Sequence, residues 1–307
     1  MKKLKALIRS TRPKQWVKNL VLYAGELFSL GERTFDPAAE LLIFGRATLG
    51  FVAFCLLSGA TYIINDILDL DADRQHPVKR DRPIASGAVS LPLAASVAAL
   101  LFAAGIILSF QLAPAFGTVA LVYFVLILLY SLILKRVLIL DTMVIAFGFV
   151  VRAIAGAIAV EVGISVWLVI CTIFLALFLG FAKRRSEIIV LGEGAPAHRG
   201  ILALYNVRLL DMLLGICGTL AVISYSLYSI SSHAMRHFGP DVLLTLPFVF
   251  FGVFRYLYLV VGKDGGGDPA AALFSDLPLL LAVSLWIAVS AILLVTQPGL
   301  LNGVLVQ

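Results

Sequence analysis

Between Asn65 and Gly87 the chain reads NDILDLDADRQHPVKRDRPIASG, which gathers carboxylates and cations in one short stretch. Asn65, Asp66, Asp69 and Asp73 succeed one another at steps of one, three and four residues. On a helix continued through Asp73, Asp66 and Asp73 fall about 20° apart in azimuth and Asp69 about 60° away, while Asp71 points elsewhere. Three carboxylates on one face repel one another unless a counterion is present. Hard oxygen ligands suit Mg²⁺, which binds through a few carboxylates together with a substrate's phosphates. Arg74, Lys79, Arg80 and Arg82 come directly after, Arg offering a rigid fork for phosphate oxygens and Lys a point charge. The stretch reads as a site that holds a diphosphate through Mg²⁺, with Asp66, Asp69 and Asp73 as metal ligands. A wet helix end with topology-setting charges is the competing reading. It accounts for Lys79, Arg80 and Arg82 but not for the acidic groups, which contribute little to topology.

The elements that must position these residues are membrane spans. Of 307 residues, 61% are hydrophobic and 14% charged, against about 25% charged in a soluble domain. Apolar stretches occur at about 18–31, 42–65, 89–110, 114–134, 139–161, 164–182, 209–231, 242–262 and 278–296, most of them near the roughly 20 residues that cross hydrocarbon. The first is short and contains Glu26. The expected fold is an all-α membrane protein, a nine-helix bundle forming one integral-membrane catalytic domain over residues 1–307. Most of the 24 Lys and Arg fall in the N-terminal segment and in alternate loops. That asymmetry places the N-terminus and the acidic and basic loops in the cytoplasm and, with nine spans, the C-terminus outside. Residues 1–18, rich in Lys and Arg with Leu4, Leu7 and Ile8 between them, read as a short interfacial helix ending at Pro13. The formal charge of +6 suits anionic lipid headgroups and phosphates; no polar domain exists to hold nucleic acid. Cys55, Cys171 and Cys217 sit in apolar runs without metal spacing and read as buried core.

Other polar groups adjoin the spans. Lys183, Arg184 and Glu187 are spaced for a helix-surface network; with Arg185, Arg199 and Tyr205 they also suit a second, anion-binding wall. Tyr130, Lys135 and Arg136 present the same choice between phosphate contact and a plain interfacial end. Arg152 and Arg255 lie inside spans, where an Arg faces a protein interior or an aqueous cavity and takes a partner. Arg152 reads as a substrate or cavity contact, with a structural ion pair as the alternative; Arg46 can snorkel. His76 can approach a phosphate. The segments GEGAPAHRG and KDGGGD look mobile.

Asn65-Asp66-x-x-Asp69-x-x-x-Asp73, followed by Arg82-Pro83-Ile84-Ala85-Ser86-Gly87, resembles the first acidic signature of the UbiA-type intramembrane prenyltransferase superfamily. The resemblance implies nine helices around a membrane-open cavity in which acidic residues bind Mg²⁺ and a diphosphate. The quinone and haem branches carry a second Asp-rich segment after span six, where this chain has Lys183-Arg184-Arg185-Ser186-Glu187. With RPKQWVKN at Arg12 to Asn19, Tyr130-x-x-x-x-Lys135-Arg136 and Arg199-x-x-x-x-x-Tyr205-Asn206, the pattern is similar to the decaprenyl-phosphate phosphoribosyltransferase branch. That branch implies transfer of 5-phosphoribose from 5-phosphoribosyl 1-diphosphate to a polyprenyl monophosphate, for the arabinose donor of a cell wall. Asp66, Asp69, Asp73, Lys79 and Arg82 would then act on the donor. Asn65, Arg74, Arg80, Tyr130, Lys135, Arg136, Arg152, Lys183, Arg184, Glu187, Arg199 and Tyr205 would bind substrates. Transfer of a prenyl group from a prenyl diphosphate is the alternative on the same fold, and transport of an anionic lipid is the non-enzymatic one.

Overall fold

The computed structural model describes residues 2–23, 37–163, 166–194, 200–296 and 300–301. These residues form helices and no strand. Six of the nine expected apolar stretches coincide with described helices long and apolar enough to cross a membrane. The chain is accordingly a multi-pass membrane protein of the all-α class. The stretch at 164–182 lies within another helix, Val166–Leu191, and that at 278–296 within Leu277–Thr296. The first stretch begins in a 3-10 segment, Pro13–Tyr23, and continues into residues outside the description.

The described residues fall into two compact units, one ending at Gly163 and one from residue 166 onward. The first contains α1 (Lys2–Ser10), the 3-10 segment, α2 (Pro37–Leu68), α3 (Leu70–Gln75), α4 (Leu91–Leu112), α5 (Pro114–Leu132) and α6 (Leu140–Ala159). Its core joins Leu22, Ala47, Ala53, Phe54, Leu57, Ala60, Phe116, Ala120, Tyr123, Ala155 and Ala159. Small residues among aromatic ones let membrane helices approach closely, because packing rather than water exclusion holds them together there. The closest approach is at Gly156 of α6, where a Cβ would stand 2.1 Å from the Leu22 carbonyl oxygen. The 3-10 segment is thereby seated directly on α6. Helices α4 and α5 are joined through Ala113 alone, with Pro114, which has no N–H to donate, opening the second.

The second unit holds α7 (Val166–Leu191), α8 (Val207–Ser229), α9 (Ser232–Phe238), α10 (Leu246–Leu257) with a wider π-turn at Tyr258–Gly262, α11 (Pro269–Ser275) and α12 (Leu277–Thr296). Asn206 caps α8 by accepting from the Leu209 amide at 2.8 Å, and Ser231 caps α9 by accepting from Ala234. All three cysteines are buried free thiols, as expected.

Candidate functional site

The acidic stretch does not lie on one unbroken helix. Helix α2 ends at Leu68, Asp69 takes φ −94° and ψ 10°, and α3 starts at Leu70. The i→i−4 bonding nevertheless runs across this point, the Asp69 amide donating to the Asn65 carbonyl at 2.9 Å and the Asp73 amide to that of Asp69 at 2.8 Å, so Asp66 and Asp73 keep the common side that their spacing predicts. Asp66 and Asp73, both buried, converge on one nitrogen of Arg82, at 3.1 Å and 2.6 Å. Asp69 instead accepts from the Lys135 ammonium at 2.6 Å and from the Asn65 amide at 3.1 Å. Asp71 is 94% exposed and stands apart, as the spacing predicted.

Arg82 reaches Asp66 and Asp73 because the turn on its C-terminal side holds it there. Its backbone is extended, as the residue before a proline must be. Ile84 is buried with Ile63, Val89, Ala94 and Ala98, anchoring the loop beside the end of α2. The turn is closed by Ser86 donating to the Arg82 carbonyl and Val89 to that of Pro83, both 2.9 Å, while Gly87 takes the positive φ of 77° that the reversal requires. The apolar anchor and the turn together aim the guanidinium back at the aspartates. His76 does not approach the carboxylates through Nδ1. That nitrogen accepts from the backbone amides of Val78 and Lys79, at 3.1 Å and 3.2 Å, and closes the preceding turn.

A further cation belongs to the cluster that spacing did not reveal. Arg12, just ahead of the 3-10 segment, donates to Asp66 and lies over the Tyr62 ring at 5.0 Å. It takes a positive φ of 51°, an uncommon backbone conformation for a side chain of this size. Fifty-four residues separate Arg12 from Asp66, so helical periodicity carries no signal of the pairing. The motif RPKQWVKN marks Arg12 in the sequence but does not say which carboxylate it meets. Asn65, Asp66, Asp69, Asp73, Arg12, Arg82 and Lys135 are thus brought together in the first unit, with cations facing each of the three aspartates.

Several predicted residues stand aside. Arg80 and Arg136 are exposed. Arg74, 55% exposed, donates weakly to the Ala85 carbonyl at 3.4 Å. Lys79 and Tyr130 are half-buried. Arg152 is buried deep in α6 and touches no carboxylate among the described residues. Its three nitrogens donate to the Asn19 side chain, the Gly148 carbonyl and the Tyr123 hydroxyl at 2.7, 2.9 and 2.7 Å. Arg46 donates to the Ala159 carbonyl and pairs with Glu161.

In the second unit Arg184 pairs with Glu187 at 2.7 Å, and Lys183 is exposed. Arg185, beside them in sequence, turns away to bind Asp211, Asp264 and the Val260 carbonyl. Together with the Tyr256 hydroxyl, which donates to the Gly266 carbonyl at 2.6 Å, it ties down the KDGGGD stretch, which is therefore not the loose loop its glycines suggested. Tyr205 is buried, while Arg199 and much of GEGAPAHRG lie outside the described residues. Arg255 finds its partner in Asp276, bonded through two nitrogens at 3.0 Å and 2.8 Å. The guanidinium holds that carboxyl below its usual range.

Among the described residues no three His, Cys, Asp or Glu side chains are already arranged as a metal-binding group. The donor chemistry nonetheless fits a hard cation. Asp66 and Asp73 aim at one positively charged point, now taken by an Arg82 nitrogen, and the acceptors gathered with them are the carboxylate of Asp69 and the amide oxygen of Asn65.

The chain is similar in sequence and in fold to known proteins. A sequence profile of the UbiA prenyltransferase family matches residues 21–184. The decaprenyl-phosphate phosphoribosyltransferase of Mycolicibacterium smegmatis is 32% identical over 291 residues, covering 92% of this chain and 90% of the relative. That of Corynebacterium glutamicum is 32% identical over 285 residues, covering 92% and 84%. A UbiA homolog from Archaeoglobus fulgidus, solved with GPP and Mg²⁺, has a TM-score of 0.69 at 18% identity, covering 94% of this chain and 99% of that one. At that identity the likeness is one of fold.

Proposed function

Since the chain belongs to the UbiA prenyltransferase family, we propose that it transfers 5-phosphoribose from 5-phosphoribosyl 1-diphosphate to a polyprenyl monophosphate, with release of diphosphate. The observation that carries the reading is the identity of 32% across 92% of the chain with relatives named for that transfer. The first-unit cluster supplies the chemistry. Asp66, Asp69 and Asp73 would hold Mg²⁺, which when bound neutralises charge on a leaving diphosphate. Arg12, Arg82 and Lys135 are placed among those carboxylates and can turn to diphosphate oxygens, stabilising the charge that develops as the bond to ribose C1 breaks. An oxygen of the lipid phosphate forms the new bond to C1, and the electron pair of the broken bond leaves with diphosphate. The attacking phosphate is already an anion, so no general base is needed. Lys79 is a further candidate phosphate contact in the same unit. The N-terminus and these loops face the cytoplasm in this reading, where a soluble donor is at hand, and the product serves cell-wall arabinose donor synthesis.

The test supplies purified protein with 5-phosphoribosyl 1-diphosphate, decaprenyl phosphate and Mg²⁺, then monitors diphosphate and the lipid by mass spectrometry. Lipid-dependent diphosphate release with one phosphoribosyl mass added to the lipid is expected, lost in Asp66→Asn and Asp73→Asn. Turnover of a prenyl diphosphate in its place, with no phosphoribosyl lipid, would refute the donor assignment.

A further inference from the structure

Arg152 is a deeply buried intramembrane cation of the first unit that the proposed chemistry leaves unused. It is 6% exposed and, among the described residues, has no carboxylate partner. A buried Arg in a bilayer is costly and calls for a reason. Its neighbours supply one. The guanidinium lies 4.7 Å from the Tyr123 ring centroid, while its nitrogens bond α5 through Tyr123, its own helix through Gly148 and the 3-10 segment through Asn19. Asn19, 1% exposed, in turn donates to Cys55 at 3.3 Å and Ser58 at 3.4 Å on α2. Ser58 and Tyr123 hydroxyls are 3.2 Å apart. One planar fork thus ties three helices to the segment that comes after Arg12.

The lengths match at both ends. Asp66 and Ser58 are separated by about 12 Å of α-helix at the usual rise. Pro13 and Asn19 are separated by about 12 Å of 3-10 helix at the usual rise, with Arg12 one residue ahead. The segment therefore runs along α2 with one peg at each end, Arg12 on Asp66 and Asn19 on Ser58, Cys55 and Arg152. Gly156 permits the closeness, since any side chain there would meet Leu22 of the same segment. We propose that Arg152 is a positioning residue: through Asn19 it clamps residues 13–23 against α2, so that Arg12 is delivered to Asp66 and to a diphosphate bound there. The inference rests on the reading of the acidic cluster as a diphosphate site.

The experiment uses inorganic diphosphate with Mg²⁺ as the probe, titrated calorimetrically into the detergent-purified full chain, with thermal unfolding measured on the same preparations. Arg152→Lys keeps the charge and loses the fork; Asn19→Leu removes the far peg; Asn19→Asp keeps the acceptor. Folded Arg152→Lys and Asn19→Leu are expected to bind the probe more weakly by about tenfold or more. Adding Arg12→Ala to either should cause no further loss, while Asn19→Asp stays close to wild type. Ser58→Ala, which trims one edge of the network, replaces any variant that does not fold and should weaken binding by about threefold. Wild-type protein that binds no diphosphate refutes the site reading itself. Wild-type binding matched by folded Arg152→Lys and Asn19→Leu overturns the positioning role, as does an Arg12→Ala loss that adds in full to theirs.

Discussion

Arg82 is the residue whose removal tests the cluster most directly. Its side chain is 26% exposed, while those of Asp66 and Asp73 are 3% and 4% exposed. Arg82→Met leaves Asp66 paired with Arg12, but Asp73 has no other ion pair among the described residues. Removing one partner of a buried pair costs about 3–5 kcal/mol. The partial exposure of Arg82 brings the expected cost below that range, to about 2–3 kcal/mol. Most of that cost is the stranded charge of Asp73, not the lost bond, so neutralising the charge should return part of it. Arg82→Met combined with Asp73→Asn is therefore expected to be more stable than Arg82→Met alone, with a coupling of about 1–3 kcal/mol. Reversible unfolding of the four proteins in mixed micelles reads the cycle. Effects that add to within about 0.5 kcal/mol would refute the shared-cation geometry.

The same contacts set the outcome of other substitutions. Arg12→Ala should fold, because Asp66 keeps Arg82, yet lower kcat/KM for the donor about a hundredfold; steady-state kinetics with saturating lipid checks it. Lys135→Met removes the cation from Asp69 and Asn65 and should raise the donor KM by about tenfold with little change in lipid KM. Gly156→Ala places a methyl against a backbone oxygen that cannot rotate away and should cost about 3 kcal/mol. Gly45→Ala, with nothing within 4 Å, should be stabilising by about 1 kcal/mol or less in the same unfolding assay. Arg185→Met releases Asp211 and Asp264 together, so proteolysis at Lys263 should quicken; an unchanged cleavage rate would show that the loop is held without Arg185, by bonds such as those of Tyr256 and the Gly265 amide.

The legible and the hidden parts of this protein divide along a physical line. Apolar runs are local, and six of them coincide with spanning helices. The acidic signature is equally local, and its order groups Asp66, Asp69 and Asp73, which the fold brings together with Asp66 and Asp73 on one side. What that order does not carry is the cations: Lys135 meets Asp69, and Arg82 meets Asp66 and Asp73. No period could foretell this, because the partners come from a loop anchored by Ile84 and from the turn that follows α5. The same limit hid the partners of Arg12 and Asn19, which lie on α2 and α6. It also made Arg184 and Arg185 look alike, though one pairs within its own turn and the other reaches Asp211 and Asp264. Neighbours in sequence share a helix but not a face, and in a bilayer the face decides what a cation meets. A carboxylate three or four residues away on the same helix can be foreseen from spacing. The bonds that assemble this cluster cross from one element to another, and they depend on how closely small residues such as Gly156 let those elements approach.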